Sequence, residues 1–229
     1  MGRAAFPGWS PHPDVWLLVG LLGAAYATAL ARLGPKRVLP GAPTATGLEV
    51  ACFSAGLLAL LVASDWPVHD VGEGYLYTAH MVQHLTYTLV AAPLLLMGTP
   101  AWLAREVLSP PGALALVRRL ARFLPATIVF NAVIVFIHIP SVVDRSLHSG
   151  LFHFGIHTLV VVSALVVWLP VLSPLPEVPR FAPPLAMLFL FMQSMLPTVP
   201  ASFLTFGDHP CIVSTSRYPA SGASRRSTT

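Results

Sequence analysis

The chain has 229 residues, of which 55% are apolar types and only 10% are charged. Soluble domains carry roughly 25% charged residues, so this composition excludes intrinsic disorder and argues against a soluble enzyme. The formal net charge is +4, but no basic run alternates with aromatic residues, so nucleic-acid binding is not expected. An all-α, polytopic transmembrane helix bundle in a lipid bilayer fits best, because at about 20 apolar residues per span this length holds six or seven helices.

Six apolar segments follow one another along the chain. Inside a bilayer the backbone must satisfy its own hydrogen bonds, so each segment is expected to be a helix. The predicted spans are residues 15–33, 46–64, 75–97, 123–139, 152–172 and 181–199. They make residues 1–206 a single transmembrane helical domain. Residues 207–229 form a polar tail, rich in Ser and Thr, that is expected to be disordered.

The few charged residues are sorted by loop, and this sorting predicts the orientation. The first, third and fifth loops hold the basic residues Arg32, Lys36, Arg37, Arg105, Arg118, Arg119, Arg122 and Arg180. The second loop is acidic and holds no Lys or Arg. Because Lys and Arg collect in cytoplasmic loops, the N-terminus is predicted to lie outside. Cleavage of the first segment as a signal peptide would leave its basic loop outside, so a retained span is favoured.

The third loop contains a stretch from Ala113 to Leu124 that mixes apolar residues with three arginines. Such a pattern is typical of a helix that lies on the inner membrane surface, although a solvated loop remains an alternative.

Histidines gather at the outer ends of the predicted spans, and this is the most informative feature of the sequence. The third span carries His80 and His84, and the fifth carries His153 and His157. A spacing of four residues places both imidazoles of a pair on one helix face. The fourth span carries His138 in its last turn. Ionisable groups within a membrane are costly and are functional candidates by default.

These histidine pairs predict a metal site, because imidazole ligands suit copper, zinc, iron and nickel. Carboxylates to orient the imidazoles would have to come from Asp65, Asp70 or Asp144 in the outer loops. Two alternatives stay open. A haem could take one histidine from each of two facing helices, such as His84 and His157, and a di-iron redox centre would need further ligands. Otherwise the histidines only hydrogen-bond between helices.

No nucleophile or nucleotide motif accompanies the histidines. The chain has no Gly-x-Ser-x-Gly, no P-loop and no Gly-rich dinucleotide fingerprint. Hydrolytic and nucleotide-driven chemistry are therefore not expected, and the chain is predicted not to be an enzyme.

Two groups of motifs resemble a known family. The first group is His80-Met-Val-Gln-His84, followed by Ala92-Pro93-Leu94 and Gly98-Thr99-Pro100. The second group is His138-Ile139-Pro140, followed by His153, His157 and Trp168-Leu169-Pro170. With both groups present, the chain resembles the polytopic cytochrome c oxidase assembly factors of bacterial plasma membranes, often called CtaG-like. The resemblance covers roughly residues 15–206.

The resemblance implies a multi-pass plasma-membrane protein that matures a haem–copper cytochrome c oxidase by supplying or placing copper, with oxidase subunits as partners. It maps the family's histidine motifs onto the metal-ligand candidates His80, His84, His138, His153 and His157. Family members usually continue after Leu204-Thr205-Phe206 into a seventh span. Here a polar stretch begins at Gly207, so the seventh span is expected to be missing. A scaffold for oxidase assembly that binds no metal is the remaining alternative.

Overall fold

The computed structural model describes residues 8–74 and 77–195, without the side chains of residues 73–77. These residues form helices joined by short loops, with no β-strand among them. The helices are α1 (Pro13–Arg37), α2 (Gly47–Ser64), α3 (Val68–Gly74), α4 (Thr78–Met97), α5 (Ala101–Val107), α6 (Ala113–Leu120), α7 (Phe123–Ile137), α8 (Pro140–His148), α9 (Gly150–Leu172) and α10 (Pro183–Met195). Two of them contain a π-helical segment, Ala29–Leu33 in α1 and Thr86–Ala91 in α4.

The helices confirm the all-α fold, and each of the six predicted spans overlaps one of them. Three helices, α1, α2 and α9, are long and apolar enough to cross a membrane. Two bent pairs, α4 with α5 and α6 with α7, raise this number to five if each pair is one span. Helix α10 is apolar but shorter, with 13 described residues. Positions 75, 76 and 196–199 of the predicted spans, and the predicted tail, lie outside the described residues.

The bend between α4 and α5 measures 106°, and Gly98 lies between the two helices. A Cβ atom at Gly98 would lie 2.3 Å from the backbone nitrogen of Phe53 on α2, so the close approach of these two segments requires glycine. The Tyr26 hydroxyl of α1 donates a hydrogen bond of 2.8 Å to the Gly98 carbonyl. Pro100 then precedes the first residue of α5. Three helices therefore meet at this corner.

Helix α6 covers most of the stretch that the sequence predicted to be an amphipathic helix. It meets α7 at a bend of 85°, so the two helices run nearly at right angles. The Arg118 guanidinium donates a hydrogen bond of 2.9 Å to the Glu177 carbonyl, and Arg105 pairs with the Glu177 carboxylate at 2.7 Å. A third pair joins Arg37 to Glu106 at 2.7 Å. The basic third loop is thus tied to the first and fifth loops at one end of the bundle.

Helices α3 and α8 lie in segments that the sequence analysis treated as outer loops. Pro140 occupies the first turn of α8, where a missing N–H leaves no helical hydrogen bond unmade. Both short helices stand at the end of the bundle that carries the histidines. They place His69 and Ser146 on helices at that end.

The core lies where α9 packs against α4 and α7. Small side chains with no exposed surface, Ala91, Ala92, Ala126 and Ala164, let these helices approach closely, as in other membrane bundles. Polar side chains add links between helices. Asn131 on α7 donates a hydrogen bond of 2.7 Å to Gln193 on α10. The Trp168 indole of α9 donates one of 2.7 Å to the Thr88 carbonyl, within the π-helical segment of α4.

Candidate metal centre

Three of the predicted ligands converge between α4 and α9. His80 and His84 stand one turn apart on α4, with ring centroids 4.4 Å apart. His157 faces them from α9, with its ring centroid 5.3 Å from that of His84. One ring nitrogen from each residue lies within 4.8 Å of the other two. We call His80, His84 and His157 the inner triad.

Two nitrogens of the inner triad have no protein partner. The Nε2 atoms of His84 and His157 are buried and make no hydrogen bond among the described residues. A buried polar atom without a partner costs about 1–3 kcal/mol, so a bound ligand would relieve this cost. Zinc–nitrogen bonds of about 2.0–2.1 Å place neighbouring ligand atoms about 3.3–3.6 Å apart. The rings need to approach by no more than about 1.5 Å to hold one ion of this size.

The other two predicted ligands lie beside the inner triad but do not belong to it. The His153 ring is 4.2 Å from that of His157, and its Nδ1 is held at 2.9 Å by the Ser146 hydroxyl of α8. His138 directly follows the last residue of α7, and its Nδ1 lies 2.7 Å from the Ile134 carbonyl. The prediction that all five histidines are ligands is untested; the structure brings three of them together.

Tyr87 supports the inner triad and was not among the predicted site residues. Its side chain is 1% exposed, and its ring centroid lies 5.2 Å from that of His157. The Tyr87 hydroxyl accepts a hydrogen bond of 2.9 Å from the Gln83 amide and lies 2.8 Å from the Ser64 hydroxyl. The sequence held a signal for it, since Tyr87 is seven residues after His80 and shares its helix face.

A second group of possible ligands lies at the outer ends of α1 and α3. His12, His69 and Asp70 each place one ligand atom within 4.8 Å of the other two. We call them the outer triad. Of the carboxylates expected to orient the imidazoles, Asp70 is in this group and Asp65 contacts His12 at 3.1 Å. His12 was missed in the sequence, although an outside N-terminus would have placed it at this face.

The Asp65 carboxylate is held by hydrogen bonds at this end of the molecule. Burial raises the pKa of the Asp65 carboxyl, but three hydrogen-bonding contacts outweigh it, and the pKa lies below its usual range. These contacts come from the Trp16 indole, the Trp66 backbone and the His12 ring. Asp65 therefore stays ionised at neutral pH and favours a proton on the Nδ1 of His12 that faces it.

A cavity of about 660 Å³ is lined by residues of both triads. Its outer end is lined by His12, His69, His153 and His157, and its deeper walls are apolar side chains of α1, α2, α4 and α9. One inner-triad ring, that of His157, therefore lines a cavity that also borders the outer triad.

The family comparison agrees with the motifs around these histidines. A family model described as cytochrome c oxidase caa3 assembly factor (Caa3_CtaG) matches residues 24–225, past residue 206 where the quoted motifs end. No match to this chain is found among curated proteins or among solved structures. Because the matched region includes both triads except His12 and covers most of the chain, the chain belongs to the cytochrome c oxidase caa3 assembly factor family.

Proposed function

We propose that this assembly factor binds copper at the inner triad and passes it to a subunit of a haem–copper cytochrome c oxidase. The observation that carries the proposal is the convergence of three imidazoles, two of which have a buried Nε2 with no hydrogen-bond partner among the described residues. Copper is here the cargo of the protein. The role is one of binding and delivery, so we infer no catalytic activity.

The burial of the inner triad favours a ligand over simple packing. His84 is only 7% exposed, and its Nε2 makes no hydrogen bond among the described residues. Histidines that serve packing alone are expected to find such partners, as His138 does with the Ile134 carbonyl. The difference between His84 and His138 therefore supports His84 as a ligand.

The donor set supports copper over harder cations. All three ligands of the inner triad are neutral imidazoles, whereas magnesium, calcium and manganese prefer carboxylate and carbonyl oxygens. Imidazole also suits zinc, iron and nickel, so the donor set alone does not choose among them. The choice of copper rests on the family, since a cytochrome c oxidase of the haem–copper class needs copper during assembly.

We place the triads at the outer face of a bacterial plasma membrane, with the N-terminus outside. The support is the distribution of charge: Arg37, Arg105 and Arg118 lie at the end of the bundle opposite the histidines, as expected for a cytoplasmic side. Copper would then be accepted and released on the outer side, through the cavity that His157 lines.

Copper analysis of the purified full-length protein tests the proposal. We expect the wild-type chain to retain copper after desalting and His84→Ala/His157→Ala to lose it. His148→Ala is the matched control, because His148 is an exposed histidine of the same face that belongs to neither triad. Equal copper in the wild type and the double variant would refute the ligand assignment.

The same samples separate the two rival functions. A bis-histidine haem protein would show a Soret absorption band, which the copper proposal does not expect. A scaffold that binds no metal would support oxidase assembly equally well with wild-type protein and with His84→Ala/His157→Ala. We expect the double variant to leave the oxidase deficient in copper in cells, and His148→Ala to leave it fully loaded.

A further inference from the structure

We propose that the outer triad of His12, His69 and Asp70 is a second metal site, for a divalent first-row transition cation. The site lies at the outer ends of α1 and α3, and it uses different ligands from the inner triad. The inference concerns binding at this second site and does not depend on the copper function proposed above.

Both histidine-to-carboxylate distances within the outer triad fit a metal site. The His12 Nε2 lies 3.5 Å from the Asp70 Oδ1, and the His69 Nδ1 lies 3.6 Å from the same oxygen. Ligands bound at about 2.0–2.2 Å in tetrahedral or trigonal geometry lie about 3.3–3.8 Å apart. Two of the three ligand pairs already have the spacing that such an ion imposes, and the third pair, His12 with His69, lies within 4.8 Å.

The His12 ring is oriented as a metal ligand would be. Its Nδ1 lies 3.1 Å from the Asp65 Oδ1, so the opposite nitrogen, Nε2, points toward Asp70. The Trp16 indole donates a hydrogen bond of 2.7 Å to the other oxygen of Asp65 and holds that carboxylate in place. A carboxylate behind a histidine is the usual arrangement at metal sites, where it sets the tautomer and raises the basicity of the ligand.

A carboxylate oxygen within the triad also lacks a protein partner. The Asp70 Oδ2 is buried and makes no hydrogen bond among the described residues. The His12 and Asp70 side chains are 17% and 19% exposed, so water reaches them only in part. A simple ion pair of His12 with Asp70 would leave this oxygen unsatisfied. A cation bound by both oxygens, or by one oxygen and an ordered water, would satisfy it.

The charge of the outer triad differs from that of the inner triad. It offers two imidazoles and one carboxylate, with the ionised Asp65 behind them, whereas the inner triad offers neutral donors only. Mixed nitrogen and oxygen donors with a net negative charge suit a divalent cation such as Zn²⁺ or Cu²⁺. The redox-inert Zn²⁺ is therefore the better probe of this site.

Zinc titration of the full-length protein in lipid nanodiscs tests the proposal, with His84→Ala/His157→Ala as the background that removes the inner triad. We expect this background to bind about one Zn²⁺ per chain, with the three protein ligands that a zinc site with one open position uses. Adding His12→Ala or Asp70→Asn should abolish the binding, and adding His148→Ala should leave it unchanged. Asp65→Asn should weaken it by roughly 10- to 100-fold, as loss of an orienting carboxylate does elsewhere.

Two results would overturn the inference. One is a background that binds no zinc although it elutes as a folded, monodisperse species. The other is equal zinc binding with and without Asp70→Asn, a variant that keeps the side-chain shape and therefore guards against a folding artefact. If the wild-type chain binds no copper, the proposed function is refuted but the zinc result at the outer triad is unaffected. The two proposals can therefore be refuted separately.

Discussion

His84 on α4 and His157 on α9 face each other with ring centroids 5.3 Å apart and ring planes 83° apart. The two residues are 73 positions apart in the chain, and each has a buried Nε2 without a hydrogen-bond partner among the described residues. The contact between them brings the histidine pair of α4 and one member of the histidine pair of α9 together at one potential coordination site.

The two histidines should act as a unit in copper binding. We expect His84→Ala and His157→Ala each to lower copper affinity by at least about tenfold, and the double variant to be little worse than either one. The reason is that residues in one network do not contribute additively. Competition titration against a chelator measures the three affinities. Two independent losses that simply add would place the histidines in separate sites.

Loss of the Tyr87 hydroxyl should destabilise the protein without removing a ligand. In Tyr87→Phe the Gln83 amide and the Ser64 hydroxyl lose a shared partner, and an unsatisfied buried polar group costs about 1–3 kcal/mol. We expect a lower Tm in detergent and an unchanged copper stoichiometry. Thr158→Val is a suitable control, because the Thr158 hydroxyl is exposed and bonds only within its own helix among the described residues. A stoichiometry that falls in Tyr87→Phe would make Tyr87 part of the site itself.

The corner between α4 and α5 should not accept a side chain at Gly98. In Gly98→Ala the new Cβ would meet the Phe53 backbone at 2.3 Å, and overpacking of this kind typically costs about 1–3 kcal/mol. Thermal unfolding of the solubilised protein measures the loss. Gly20→Ala is the matched control, because nothing lies within 4 Å of a Cβ at Gly20. Equal Tm values for the two variants would show that α2 yields at this contact.

The Arg105–Glu177 pair should make stability depend on pH in the acidic range. A hydrogen bond from Arg105 lowers the pKa of the Glu177 carboxyl below its ordinary value. Its contribution is therefore complete above the ordinary carboxyl pKa and is lost as the pH falls through the lowered value. We expect Glu177→Gln to lower the Tm slightly at neutral pH, because exposed ion pairs contribute little.

The same pair gives an internal check. The Tm difference between wild type and Glu177→Gln should shrink as the pH drops from about 7 through the lowered pKa of Glu177, since the folded chain then loses the ionised partner of Arg105. The Tm difference between wild type and Arg105→Gln should shrink on acidification in the same way, because Arg105 is the other member of the pair. A difference that grows on acidification would contradict the direction of the pKa shift.

Local patterns in the sequence were enough to predict the helices and the histidine pairs. A run of apolar residues such as 152–172 has to form a helix in lipid, because only a helix satisfies its backbone there. The spacing of His80 and His84 places both rings on one face of that helix, because 3.6 residues make a turn. The helical nature of the 113–124 stretch followed from its amphipathic pattern in the same way.

Contacts between distant segments were not predictable from such patterns. His12 and Asp65 are 53 residues apart, and their contact depends on where the start of α1 meets the end of α2. The helices α3 and α8, which seat His69 and Ser146, are short and carry little hydropathy signal. Tyr87 was overlooked because its role depends on Ser64 of another helix.

The sequence by itself determined the membrane-type helices, the sorting of charge between their ends and the gathering of histidines at one end. These properties depend on solvation and on helix period, which act over neighbouring residues. Only the tertiary structure decided which histidines converge, since that depends on how each helix is rotated and where it packs. Small residues such as Ala91 and Ala164 set that packing, and it divides the histidines into an inner and an outer triad.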